Sequence, residues 1–369
     1  MTGRERLTAC LNGNKTDRVP VSTYELCGFN SESFENKEPS YARLMNYIRK
    51  NTDAVTMWNP SSTEVMLGSS APLNISVKEE YKNSIRIIEK TILLPKVTLK
   101  QINQIEDNIV TVWQTKHPCG TVDEVNALLD VDYVPVKYDY FGYERVKNET
   151  GENGIIMASV PDPLCYAAEL MSFGDFTIWA MTEEEHFSAV LEKLFFRIMT
   201  NLEEMLKKPV ELYRICGPEY ATEPYLPPRL FAKYVTPYIR EMAALIHKHG
   251  SKVRAHSHGR LKNSLAEFNK MGVDAIDPVE DTPDGDIALS EVKKALPGVT
   301  LFGNIQLKLL ERGSKPDIEK YVEYCMGSAK EGGRFVIMPT AAPINVPLSP
   351  KTEENYFAFI DTALRMGKY

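Results

Sequence analysis

The sequence predicts an α/β protein, a (β/α)8 TIM barrel with a β-rich insertion between strands 2 and 3. Three observations carry that expectation: short apolar runs recur along the chain, helix-like segments separate most of the later ones, and one long polar–apolar alternation interrupts the rhythm. A doubly wound open sheet is the structural rival. It would need a glycine-rich phosphate turn after an early strand, and none appears.

The eight expected strands are, in order, VPVSTYEL (19–26), DAVTMW (53–58), GIIMASVP (154–161), ELYRICG (211–217), KVRAHSHG (252–259), DAIDPVE (274–280), VTLFGNIQ (299–306) and RFVIMPT (334–340). Their apolar continuity suits strands covered on both faces. Between them, PPRLFAKYVTPYIREMAALIHKHG sets Leu230, Tyr234, Ile239, Met242 and Ile246 along one helical face and stops at Gly250. LKNSLAEFNKMG repeats the pattern and stops at Gly272. Residues 61–153 are too long for one crossover, and NSIRIIEKTILLPKVTLKQINQIEDNIVTVWQTKHPCG alternates as antiparallel strands do. The reading is one barrel domain over 1–369 with a flap at 61–153. The flap would cover a substrate or offer a homodimer surface, and the pattern leaves both open.

The totals bound the function. A net charge of −7 and an acidic pI near 5.6 lack the basic face that nucleic-acid binding needs. No run approaches the roughly 20 apolar residues of a membrane span. The opening MTGRERLTACLNGNK lacks the apolar core of a secretion signal. The six cysteines form no CxxC pair, which suits free thiols in the cytoplasm.

In a parallel barrel, reactive groups gather where strands end. Here those ends carry Glu25, Trp58 with Asn59, Asp162, Cys216 with Glu219, His256 with His258, Asp277 with Glu280, Asn304 with Gln306, and Thr340. His256 and His258 stand two apart and so share a face. With His256, the carboxylates of Glu219 and Glu280 would make a familiar zinc set; without metal, His256, His258 and Glu219 would act as acid–base groups. Asp277 sits deeper and is expected to be buried and hydrogen-bonded, while Arg254 shares the histidines' face and is free to pair with an acid inside the barrel.

GRERLTACLNGNKTDRVPV at the start and VRAHSHGRLKNSLAEFNKMGVDAIDPVE…LFGNIQ in the second half resemble the uroporphyrinogen decarboxylase superfamily. That resemblance implies a β/α barrel, and either the cofactor-free decarboxylase or a zinc-dependent methyltransferase that works with a corrinoid protein. The decarboxylase carries an arginine-rich motif after its first strand. Here YELCGFNSESFENKEPSYAR contains only Arg43 and is dominated by acids, a poor cradle for a polyanion. The thiol-charging methyltransferases use a His-x-Cys pair and a distant cysteine. Here His258 replaces the first cysteine, and MPTAAP offers none at the later position. Histidine and carboxylate ligands would leave zinc a stronger Lewis acid towards oxygen. The resemblance therefore extends to methyltransferases that demethylate methoxylated aromatics, with cob(I)alamin of a corrinoid partner as acceptor. Tyr24, Glu25, Trp58, Tyr220 and Asn304 are the candidate substrate-binding residues. The alternatives are a decarboxylase of a smaller acid and a non-catalytic ligand-binding barrel.

Overall fold

The computed structural model describes residues 1–369. Seven parallel strands form one curled sheet in sequence order: β1 (Ala54–Met57), β2 (Gly154–Pro161), β3 (Leu212–Cys216), β4 (Lys252–His256), β5 (Ala275–Asp277), β6 (Thr300–Ile305) and β7 (Phe335–Pro339). Helices follow most of the strands, giving an α/β, TIM-like barrel. The expected first strand, 19–26, is reduced to a single bridge. Ser22 N–H donates to Ile337 of β7 at 2.9 Å, and Asp53 N–H donates to Val21 at 2.7 Å, so this short segment spans the seam between β7 and the start of β1. It goes no further because Pro20 has no N–H to give and Tyr24 turns to φ +57°, outside extended backbone.

Alternation along the strands sorts the side chains. Val55, Ile155, Met157, Leu212, Ala275, Phe302, Val336 and Met338 form an inner apolar cluster, separate from the larger one beneath the surrounding helices. Leu7, Cys10 and Leu11 from the helix Gly3–Leu11 complete that inner cluster. The helix begins at a capping box, Thr2 with Glu5, and lies at the N-terminal ends of the strands. There Thr300 Oγ1 donates to the Cys10 carbonyl at 3.3 Å. Burying each of its leucines contributes about 1.5–3 kcal/mol. Nearby, Asp53 accepts from Val21 N–H at 2.9 Å and from Arg18 at 2.7 Å, and also pairs with Arg6. One buried carboxylate thus ties the plug helix, the bridging segment and β1 together. With the N-terminal end closed, the C-terminal end is the side where chemistry can open to solvent.

The segment between β1 and β2 holds a four-stranded antiparallel meander, residues Asn74–Lys82, Ile85–Leu93, Thr98–Glu106 and Trp113–Lys116. Its first hairpin turns on Asn83 and Ser84, both at positive φ (51° and 61°), as a two-residue turn between twisted strands requires. Ile92 and Leu99 are buried in the main core, whereas Val77 and Tyr81 face outward. Beyond the third strand, Val110 N–H donates to Ile344 and Val346 N–H to Asn108, at 2.9 and 2.8 Å, joining the meander to the chain that follows β7.

The helical stretch expected over 227–250 is two helices, Pro228–Tyr234 and Thr236–Lys248. Pro237 lacks the N–H that would continue the ladder, so the helix restarts there. All five residues of the expected face are nevertheless buried. No helix is long and apolar enough to cross a membrane.

Candidate active site

The inner face of β4 carries Arg254 and then His256, and the inner face of β5 ends in Asp277, register partner of His256. His256 Nδ1 lies 3.0 Å from Asp277 Oδ2, and Arg254 Nε lies 2.7 Å from Oδ1. The Arg254 contact is close but out of line for a hydrogen bond, so it acts as an ion pair. Burial pushes Asp277 up, but Arg254, His256 and Arg214 outweigh it and hold the carboxyl down to about 2. An ionised carboxylate only accepts, so His256 Nδ1 must donate to it. That bond fixes the ring's orientation and leaves Nε2 as the nitrogen turned away from Asp277.

His258 follows two residues on, its ring 4.8 Å from that of His256 and nearly perpendicular to it. Its Nδ1 lies 3.1 Å from Glu280 Oε1, and the other oxygen of Glu280 accepts from Gly259 N–H at 3.1 Å. Burial pulls His258 down, yet contact with Glu280 and the charges of Asp277 and Glu219 leave it raised. Glu280 is lowered: burial opposes its charge, and His258 and the Gly259 amide overcome that. The two expected histidines therefore do stand together, each with its own carboxylate.

Arg214 of β3 is the register partner of Arg254 and points into the same interior. Its Nη1 donates to Tyr24 Oη at 3.1 Å and to Glu25 Oε1 at 2.8 Å, and its Nε donates to Ser159 Oγ at 3.3 Å. Tyr24 bridges this group to the histidines, its ring centroid 6.2 Å from that of His256. The expectations had named Tyr24 and Glu25 but missed Arg214. The signal was available: Arg214 is two residues before Cys216 and must share its face. Cys216 itself meets Ser159 Oγ at 3.3 Å.

Other expected residues lie elsewhere. Met57 faces inward, so Trp58 faces outward and packs on Tyr143, 5.2 Å between rings. Tyr220 sits among Phe173 and Phe176 in the helical shell. Neither walls the interior. Asn304 does lie inside, fully buried on β6, and neither atom of its amide has a partner. Asp162 caps the helix after β2, donated to by Cys165 N–H at 2.8 Å, and burial raises it well above the usual carboxylate range. It packs on Gly217, at φ +135°, where a Cβ would meet Asp162 Oδ1 at 1.8 Å.

The expected zinc set meets a direct geometric test. Asp277 orients His256 as a carboxylate orients a ligating histidine. Glu280, however, is held by His258 and Gly259, and Glu219 accepts from Gly217 N–H at 3.0 Å in its own turn. No three His, Cys, Asp or Glu side chains come together as a metal-binding group. One oriented donor is present; the trio His256, Glu219 and Glu280 is not assembled, because Glu280 is tied to the loop after β4 and Glu219 to its own turn.

The chain is similar along 99% of its length to the solved structure of a methyltransferase from Methanosarcina mazei, covering 99% of that chain at 16% identity and a TM-score of 0.63, a likeness of fold. It also matches a native Bacteroidetes-affiliated GH5 cellulase linked with a polysaccharide utilization locus, at 12% identity and a TM-score of 0.39, over 62% of this chain and 76% of that one. No curated protein matches it by sequence. Residues 71–363 match the profile of uroporphyrinogen decarboxylase (URO-D), a span that includes both histidine–carboxylate pairs, and the chain belongs to that family.

Proposed function

We propose that this protein is a methyltransferase that removes a methyl group from a small donor, a methoxylated aromatic in the first instance. The acceptor is cob(I)alamin carried by a partner corrinoid protein, whose cobalt(I) supplies the electron pair that bonds the methyl carbon. The observation that carries the reading is the His258–Glu280 pair: a half-exposed imidazole, raised by its carboxylate, standing beside the oriented Nε2 of His256. As the carbon–oxygen bond breaks, its electron pair stays on oxygen, and the His258 imidazolium donates a proton there to release a neutral phenol. Glu280 then stabilises the imidazolium as it is restored from solvent. His256, its ring fixed by Asp277, stands against the His258 ring and presents Nε2 to the same space. The donor set does not fit a three-ligand zinc site, so no step runs through zinc.

The likeness in fold to a methyltransferase supports this reading. So does the fate of Arg43, the one arginine in residues 24–43: it pairs with Glu353 on the outer helices and is 71% exposed, so it offers nothing to a porphyrinogen's carboxylates.

The test combines purified protein, cob(I)alamin and a set of methoxylated aromatics, following methylation of the corrinoid by absorption and phenol by chromatography. The proposal expects both products in equal amount, with loss of about 10²–10⁴-fold in rate in His258→Asn, the range for a general acid. Release of carbon dioxide from small acids without methyl transfer would put the decarboxylase reading in its place.

A further inference from the structure

Arg214 is a buried cation with an unusual allotment of partners. Its Nε and Nη1 are engaged by Ser159, Tyr24 and Glu25, while Nη2 makes no hydrogen bond within the chain. Glu25 holds it through a single oxygen and is itself 39% exposed, against 9% for Arg214. The carboxylate sits in the turn begun by Tyr24, whose φ of +57° is costly for a non-glycine residue. A guanidinium prefers to grip a carboxylate with two parallel N–H groups. The one-oxygen contact from a solvent-exposed, strained turn is a weaker arrangement than Arg214 can make.

The other charges facing this point are Asp277, already committed to Arg254 and His256, and Arg254 itself. Asn304 adds a donor and an acceptor with no partner in the same interior. The Tyr24 ring spans the distance from the Arg214 tip to His256. A ligand of about one aromatic ring's length, anchored on Arg214, therefore reaches the histidines.

We infer that Arg214 is the anchoring subsite for a carboxylate-bearing substrate, and that Glu25 is a displaceable stand-in occupying that subsite in the free protein. Resting on the methyl-transfer reading, this makes the donor a methylated aromatic acid. The incoming carboxylate takes both amino nitrogens of Arg214, Glu25 swings to solvent, and the methoxy end meets His256 and His258. The selectivity of the site is then set by competition between two carboxylates for one guanidinium.

The experiment is binding, measured calorimetrically on the full chain without any acceptor. The probes are 4-methoxybenzoate and its uncharged counterpart 4-methylanisole. Expected are tighter binding of the acid by the native protein, a further gain of about tenfold, roughly 1.4 kcal/mol, in Glu25→Gln, and no change for the uncharged probe. Arg214→Lys, which keeps the charge but loses the two-pronged grip, should erase the preference; unchanged circular dichroism and melting would show it folded. Glu25→Gln serves as the second variant because it leaves Arg214 in place. Equal binding of the two probes, or no gain in Glu25→Gln, would overturn the inference. A preference for the acid that tracks these variants in a protein with no methyl transfer would sink the methyl-transfer reading while leaving the anchoring subsite intact.

Discussion

Two histidine–carboxylate pairs leave the same strand end two residues apart, and burial separates them. In the inner pair, His256 is 9% exposed and Asp277 not at all; in the outer pair, His258 is 38% exposed and Glu280 12%. The inner carboxylate answers two groups at once, Arg254 and His256, while the outer one answers a single imidazole and a backbone amide. The same two residue types therefore do different work. Inside, a carboxylate with nowhere else to go balances a buried guanidinium and fixes a ring. At the rim, solvent can replace either partner, so the pair can exchange a proton without endangering the fold.

The largest consequence concerns stability. In Asp277→Asn, Arg254, 1% exposed, loses its counter-charge in the interior. The expected cost is about 3–5 kcal/mol, the range for breaking a buried pair. Glu280→Gln, at the partly solvated rim, should cost under about 1 kcal/mol. Urea unfolding of both variants at neutral pH checks the pair of values. Equal losses would mean that exposure does not distinguish the two sites, and the division of labour drawn here would fail.

Much of this contrast was legible in the sequence because it depends on strand alternation. That Arg254 and His256 share a face follows from period two, and the burial of Asp277 from its place deeper in its strand; the register that sets it opposite His256 comes from the fold. The same rule, applied to Met57, turns Trp58 outward, and applied to Cys216 it brings Arg214 inward. What the sequence could not show lies in loops. Glu280 turns to His258 and Gly259, and Glu219 to Gly217, because each lies beyond the end of its strand, where no periodicity sets direction. The expected zinc trio depended on those two loop residues. The shortened first strand was readable in principle, since Pro20 removes a ladder donor.

The finest test of the comparison is the pH dependence of each pair. His258 is raised above its ordinary 6.5, so its contribution is complete below that value and is lost as pH rises through the folded value. Glu280 is lowered from 4.5, so its contribution is complete above that value and is lost as pH falls through the folded one. The stability difference between the native protein and Glu280→Gln should therefore be flat between 4.5 and 6.5 and shrink on both sides. For Asp277→Asn the difference should hold down to 3.8, the ordinary aspartate value, and decline from there until it is gone below about 2. On the alkaline side it should not follow His258, because Arg254 keeps its charge there. In nuclear magnetic resonance, the His258 ring should titrate at lower pH in Glu280→Gln than in the native protein, and the alkaline limb of any proton-dependent rate should move the same way. A His258 titration unmoved by that substitution would show that the rim carboxylate does not tune it, and the proton-donor role would then have to rest on geometry without charge.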